Sequence, residues 1–274
     1  MRCRSLVRII PALCLSTRLG AQSNPRQVQP ERPTVATHAG TVAPGYLEIE
    51  TGVQLDRFDQ DLNGVSTPTV FKFGLGRTTQ FSLFSSLVHP AGSDKVDIGD
   101  ISAGVKWRIR DDAPLLGRFA ILPIVKLPTW FTTTGSGTTD VSVLLISSHT
   151  FGPMSMDVNA SLAHHSGNAS TVPTTSTLWT VSFDGPLAAP VGWVAEVFGL
   201  PGTGGPSGAS PTVSALFGPT LSVSDEIALD AGAILPLKGS SPRYSLYAGG
   251  VINVGRLGAL RCRPPKCLKA SSSE

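Results

Sequence analysis

The chain has 274 residues, 41% of them hydrophobic and 15% charged, with 29 glycines and 22 prolines spread along its length. Both residues interrupt helix interiors but punctuate short strands freely, so the composition argues against a helix-rich fold and for an all-β one. The net charge of +3 becomes −1 once Arg2, Arg4, Arg8 and Arg18 are set aside with the first 21 residues, which leaves no basic body for nucleic acid to bind.

Residues 1–21 read as an export signal: arginines, the apolar stretch Ile9-Ile10-Pro11-Ala12-Leu13-Cys14-Leu15, then Leu19-Gly20-Ala21 as small residues suited to cleavage. Residues 22–45 follow with Pro25, Pro30, Pro33 and Pro44 among polar residues, an extended lead-in without a core of its own. Beyond the leader no apolar stretch approaches the ~20 residues that a membrane-spanning helix requires, so a closed barrel is the remaining way for this chain to cross a bilayer.

Regular structure begins at Tyr46. Leu47, Ile49, Val53 and Leu55 fall on one face and Glu48, Glu50, Gln54 and Asp56 on the other, the period of two that marks a strand. The same alternation recurs in Thr79 to Leu87, most clearly in Asp100 to Ile109, and again in Met154 to Leu162 and Glu226 to Leu235. Further strands are predicted over Thr69 to Leu75, Phe119 to Leu127, Val141 to His149, Thr177 to Phe183, Trp193 to Phe198, Thr212 to Phe217 and Tyr244 to Val254. That makes about twelve, an even number, with many approaching the ~9–11 residues that cross a bilayer at a tilt. Longer connections alternate with shorter ones, as in barrels that carry long loops at one rim and tight turns at the other. The predicted fold is therefore all-β, a single antiparallel up-and-down transmembrane barrel over residues 46–256.

With the apolar sets toward lipid, the opposite sets line a lumen that carries Glu48, Glu50, Lys72, Asp100, Lys106, Arg108, Lys126, Asp157, Glu196 and Asp230. Inward charges of both signs suit a water-filled interior better than a dry core. The rings near Asp100, Lys106, Arg108 and Lys126 would then set solute and ion preference. Residues 257–274 form a basic tail in which Cys262 and Cys267 make either a local disulfide or two free thiols, with no zinc-like spacing around them.

No catalytic constellation emerges along the chain, and no cofactor or metal site is predicted. Neighbours on a strand point to opposite faces, so His164 and His165 cannot chelate one ion. Asp94, Asp97 and Asp100 do not match a calcium loop. The glycines at 202, 204, 205 and 208 surround Pro206 and open no helix that could cradle phosphate. A barrel hydrolase would require a close Ser–His contact on the wall, with His149 and several serines as the material for it.

The segments Arg32-Pro33 and Gly45-Tyr46-Leu47-Glu48-Ile49-Glu50-Thr51-Gly52 resemble the opening of the MetA-pathway phenol-degradation family. Phe73-Gly74-Leu75 with Phe81-Ser82-Leu83, then Gly99-Asp100-Ile101-Ser102-Ala103-Gly104-Val105-Lys106-Trp107, then Leu127-Pro128-Thr129, are similar to later motifs of that family in the same order. The resemblance implies an outer-membrane barrel with a transport-like role and names no substrate. The expectation is a passive transporter or pore for small solutes, aromatic or apolar ones included, with outer-membrane lipid and the solute as its partners. A non-transporting surface or adhesion barrel, a barrel hydrolase and a secreted soluble β-sandwich stay open as alternatives. The oligomeric state is left unassigned.

Overall fold

The computed structural model describes residues 24–127, 138–166, 174–203, 210–239 and 242–257. The leader, Pro128 to Trp130, the glycines 204, 205 and 208, and the tail with Cys262 and Cys267 lie outside them.

Among the described residues thirteen strands follow one another with almost no helix: β1 (Tyr46–Arg57), β2 (Asn63–Gly74), β3 (Thr79–His89), β4 (Asp97–Ile98), β5 (Ile101–Ala113), β6 (Gly117–Leu127), β7 (Asp140–Phe151), β8 (Met154–His165), β9 (Thr175–Ala188), β10 (Val191–Leu200), β11 (Thr212–Ser224), β12 (Ile227–Lys238) and β13 (Tyr244–Arg256). The two-residue β4 pairs only with the end of β3, leaving twelve long strands in the wall. Each pairs antiparallel with its sequence neighbours, and β1 closes on β13 from Tyr46↔Arg256 to Arg57↔Tyr244. The fold is a closed, antiparallel, twelve-stranded β-barrel, so no sheet edge is left open.

Several strands run longer than their apolar pattern suggests. β2 starts at Asn63 rather than Thr69, and β9 and β11 continue to Ala188 and Ser224. Their extra residues include Pro68, Pro186 and Pro219, which break a propensity reading while the flanking ladder carries on. Between β1 and β2 the pairing passes from Thr51↔Thr69 to Gln54↔Ser66, skipping the span around Pro68, whose nitrogen has no hydrogen to donate.

The side-chain period of two sorts the wall. Along β5, Val105, Trp107 and Ile109 are exposed while Gly104 and Lys106 are buried. Round the circumference the outward face presents Val53, Phe71, Leu145, Leu162, Phe217, Leu229 and Leu246, all more than a third exposed. This overturns the β-sandwich alternative, in which the apolar sets would pack inside; here one sheet closes on itself and turns them outward. Two small apolar clusters do sit inside: Ala39, Ala120, Leu122 and Ile146 form one, Val194, Leu216 and Tyr247 the other.

The connections at one rim are tight, at 75–78, 114–116, 152–153, 189–190 and 225–226. At the opposite rim successive strand ends lie farther apart in the sequence: Arg57 and Asn63, His89 and Ile101, Leu127 and Asp140, His165 and Thr175, Leu200 and Thr212, Lys238 and Tyr244. The lead-in enters, and β13 ends, at the tight-turn rim.

Candidate functional site

The lumen is where the charged residues converge, and the lead-in occupies it. At the tight-turn rim Asn24 donates to Asp225 at 2.8 Å, Val28 N–H to the Asp225 carbonyl at 2.8 Å, and Arg26 pairs with Glu226 at 2.8 Å. From there the segment turns inward, crosses the barrel and returns to the same rim, where Gly45 N–H donates to Gly74 O at 2.7 Å. Val28, Ala36, Thr37, Ala39, Thr41, Val42 and Ala43 are all buried on the way.

An extended segment without a ladder must find acceptors for its backbone N–H groups, and here the wall side chains supply them. Gln29 N–H meets both Glu48 carboxylate oxygens at 3.2 and 3.1 Å, and Glu31 N–H donates to Glu50 at 2.8 Å. Val35 and Ala36 N–H share the Glu196 carboxylate at 2.8 and 2.7 Å. Thr37 N–H donates to Asn159 at 2.7 Å, Ala39 N–H to Ser148 at 2.8 Å, and Val42 N–H to Gln80 at 2.9 Å. These acceptors come from β1, β3, β7, β8 and β10, so the segment is held from opposite sides of the barrel.

Two lysines complete the seat. Lys72 lies between Glu48, at 3.1 Å, and Glu50, at 2.5 Å, and also donates to the Gln29 carbonyl. Lys106 pairs with Glu31 and donates to Thr37 Oγ1 at 3.2 Å, His38 O at 2.9 Å and Gly40 O at 3.1 Å. Both lysine side chains have zero solvent exposure, a burial tolerated only because each ammonium faces carboxylates and carbonyls. Arg32 of the lead-in reaches Asp230 on β12 at 3.2 Å, and glycines make the room. A Cβ on Gly52 would stand 2.4 Å from its guanidinium, and one on Gly249 2.7 Å away. At the exit a Cβ on Gly74 would meet the Ala43 carbonyl at 2.1 Å.

Within the lead-in, Glu31 would have its carboxyl pKa raised by burial, but Lys106 and Lys72 outweigh that and hold it at about 2. Burial, reinforced by Lys106 and opposed by Glu31, pushes the His38 imidazole down to about 3. A neutral His38 fits its contact, since its Nδ1 accepts the Gly40 N–H at 2.9 Å.

Of the residues singled out in the sequence, Glu48, Glu50, Lys72, Lys106, Glu196 and Asp230 touch the lead-in directly. Asp157 bonds Ser148, which in turn takes the Ala39 N–H. The other three stand apart from the lead-in. Arg108 lies at the tight-turn rim with the Arg77 carbonyl at 2.8 Å and Asp111 at 3.0 Å. Asp100 and Lys126 pair at 3.2 Å toward the long-loop rim, where Lys126 also meets Asp140. Lys106 and Arg108 therefore do not form one ring: one is sealed against the lead-in and the other sits at a rim.

Sequence reasoning missed Glu31, Arg32, His38, Gln80 and Asn159. The signal for them was a polar, proline-rich segment adjoining a barrel with too many inward charges, since such N–H groups require acceptors wherever they are buried. Among the described residues no three His, Cys, Asp or Glu side chains converge as a metal site.

The lead-in divides what space is left. A cavity of about 350 Å³ lies between it and the tight-turn ends of the wall, lined by Glu31, Arg32, His38, Asp157, Asp184 and Asp230 among others. A second, of about 220 Å³, lies at the long-loop end between Gln54, Asp56, Phe198, Ser214, Lys238 and Ser245, with no lead-in residue in its lining.

The fold resembles that of an outer-membrane channel from Pseudomonas putida F1, with a TM-score of 0.60 at 11% identity over 83% of this chain and 100% of that one. The translocator domain of the autotransporter NalP from Neisseria meningitidis matches with a TM-score of 0.45 at 11% identity, over 76% and 88%. At such identities the likeness concerns the barrel architecture. No family model and no curated protein matches the chain.

Proposed function

We propose that this protein is an outer-membrane channel or transporter for small solutes whose lumen is closed by its own lead-in segment. The observation that carries the reading is the seat of residues 28–43: buried wall carboxylates accept the segment's N–H groups inside a barrel whose outer face is apolar all round. An apolar band on a closed barrel suits lipid, because the strands pair their backbones with one another all round and leave no open edge. The order of motifs resembling the MetA-pathway phenol-degradation family points the same way, and aromatic or apolar small molecules are the solutes to try first. The signal-like residues 1–21 fit export to that membrane.

One observation favours a second reading, that of a structural barrel which never conducts: the ion pairs of Lys72, Lys106 and Arg32 fill the middle of the lumen. Refolding residues 22–274 into a planar bilayer separates the two. A channel gives infrequent, reproducible conductance steps as the lead-in leaves its seat; a structural barrel inserts as heat-modifiable β-structure and stays silent under every voltage and pH.

A further inference from the structure

At the long-loop rim, three side chains on consecutive strands form a hydrogen-bonded relay. Asp140 is the first residue of β7, His165 the last of β8 and Ser176 the second of β9. Asp140 and His165 are cross-strand partners, and Ala163 pairs with Ser176, so Ser176 lies diagonally from His165 on the same inward face. His165 Nδ1 stands 2.9 Å from Asp140 Oδ2, and His165 Nε2 stands 2.8 Å from Ser176 Oγ.

The order of these contacts carries the chemistry. A ring nitrogen facing a carboxylate must donate, so Nδ1 holds the hydrogen; Nε2 is then free to accept the Ser176 proton. That is the tautomer a general base requires, and the remaining lone pairs of Asp140 are engaged by Lys126 and by Thr138 Oγ1 at 3.0 Å, which fixes the carboxylate. Both His165 and Ser176 are half-buried rather than sealed, at the long-loop end of the barrel. A second Ser–His contact on the wall, Ser147 Oγ to His149 Nε2 at 3.0 Å, differs on each point. Ser147 donates its proton to the Leu116 carbonyl at 2.7 Å, and His149 stacks on Phe151 with no carboxylate partner among the described residues.

From this geometry we infer that Ser176, His165 and Asp140 form a nucleophilic site that cleaves small acyl esters at the long-loop mouth, an activity separate from solute passage. Ser176 Oγ attacks the acyl carbon while its proton passes to His165 Nε2. Collapse of the adduct breaks the ester C–O bond, and the departing alkoxide takes that proton and leaves as the alcohol. Water, activated by the same nitrogen, then attacks the acyl-serine, releasing the carboxylic acid and restoring the Ser176 hydroxyl. No sequence motif marks this set, because its members are 11 to 36 positions apart along the chain and only the strand register brings them together.

The test is covalent labelling of the full refolded protein with a fluorophosphonate, read by mass of the modified peptide, alongside hydrolysis of a p-nitrophenyl ester. A single adduct on Ser176 is expected, and H165Q should lower both labelling and hydrolysis by at least ~10²-fold, the scale of one general base. S176A should abolish the adduct while the barrel remains heat-modifiable. A folded barrel that takes no adduct on Ser176, or labelling that H165Q leaves unchanged, overturns the site. Conductance is read separately, so neither outcome bears on the channel reading.

Discussion

The two sides of the lumen hold the lead-in in different ways. Toward β1, β2 and β5, the grip is ionic and dry: Glu48, Glu50, Lys72 and Lys106 interlock with Glu31 and with lead-in carbonyls. Toward β7, β8 and β10, it is a line of single acceptors, Ser148, Asn159 and Glu196, beside the larger cavity. Removing one partner of a buried ionic set strands the others, whereas losing one acceptor leaves one or two N–H groups beside a space that water can fill. The clasp therefore lies on the β1–β5 side, and the opposite side gives way first.

The largest effect should come from K72M, which leaves Glu48 and Glu50 facing each other with no cation between them. A penalty of about 3–5 kcal/mol is the usual scale for breaking a buried charged set. Limited proteolysis of the lead-in should become fast in K72M while the barrel core stays protected. Unchanged protection would mean that the clasp is elsewhere.

E196Q sharpens the contrast from the other side. The substituted amide keeps one acceptor oxygen for Val35 and Ala36 N–H and loses the charge, a change of about 1–2 kcal/mol. Lead-in proteolysis should quicken modestly, well short of the K72M effect; a response as large as that of K72M would erase the distinction between the two sides.

The barrel itself was legible in the sequence because period-two alternation leaves a trace at every strand, as in Ile101 through Ile109. The inward charges were legible for the same reason. Their partners were not: Glu31, Arg32 and His38 sit in a segment with no periodicity, and their contacts depend on where an irregular chain crosses the lumen. The Asp140–His165–Ser176 relay was hidden for a related reason, since cross-strand register is a property of the closed sheet rather than of any one strand. The middle of β2 shows the limit of propensity, because Pro68 reads as a break and the pairing resumes on either side of it.

Acid should loosen the seat as well, progressively rather than at a stroke. Docked, His38 titrates at about 3, while an imidazole free in water does so at about 6.5. Between those values the undocked segment binds more protons than the docked one, so docking weakens steadily as pH falls from 6.5 toward 3. Glu31, held at about 2 when docked, adds to this below about 4.5, because its protonation favours the undocked state. Lys106, Lys72 and Glu31 are the charged groups acting on His38, and H38Q should remove the upper part of the response. A pH profile of lead-in proteolysis identical in H38Q and the unaltered protein would contradict this.

The most direct measurement compares conductance before and after the lead-in is set free. A specific protease site inserted beside Gly45, cut after the barrel has been refolded and inserted, frees the segment without asking the wall to fold alone. Small, rare steps are expected in the uncut protein, and a sustained, several-fold larger conductance after cutting and washing at low pH. A cut barrel that has lost the segment, by mass, and conducts no better than the intact one would contradict the claim that residues 28–43 close a channel.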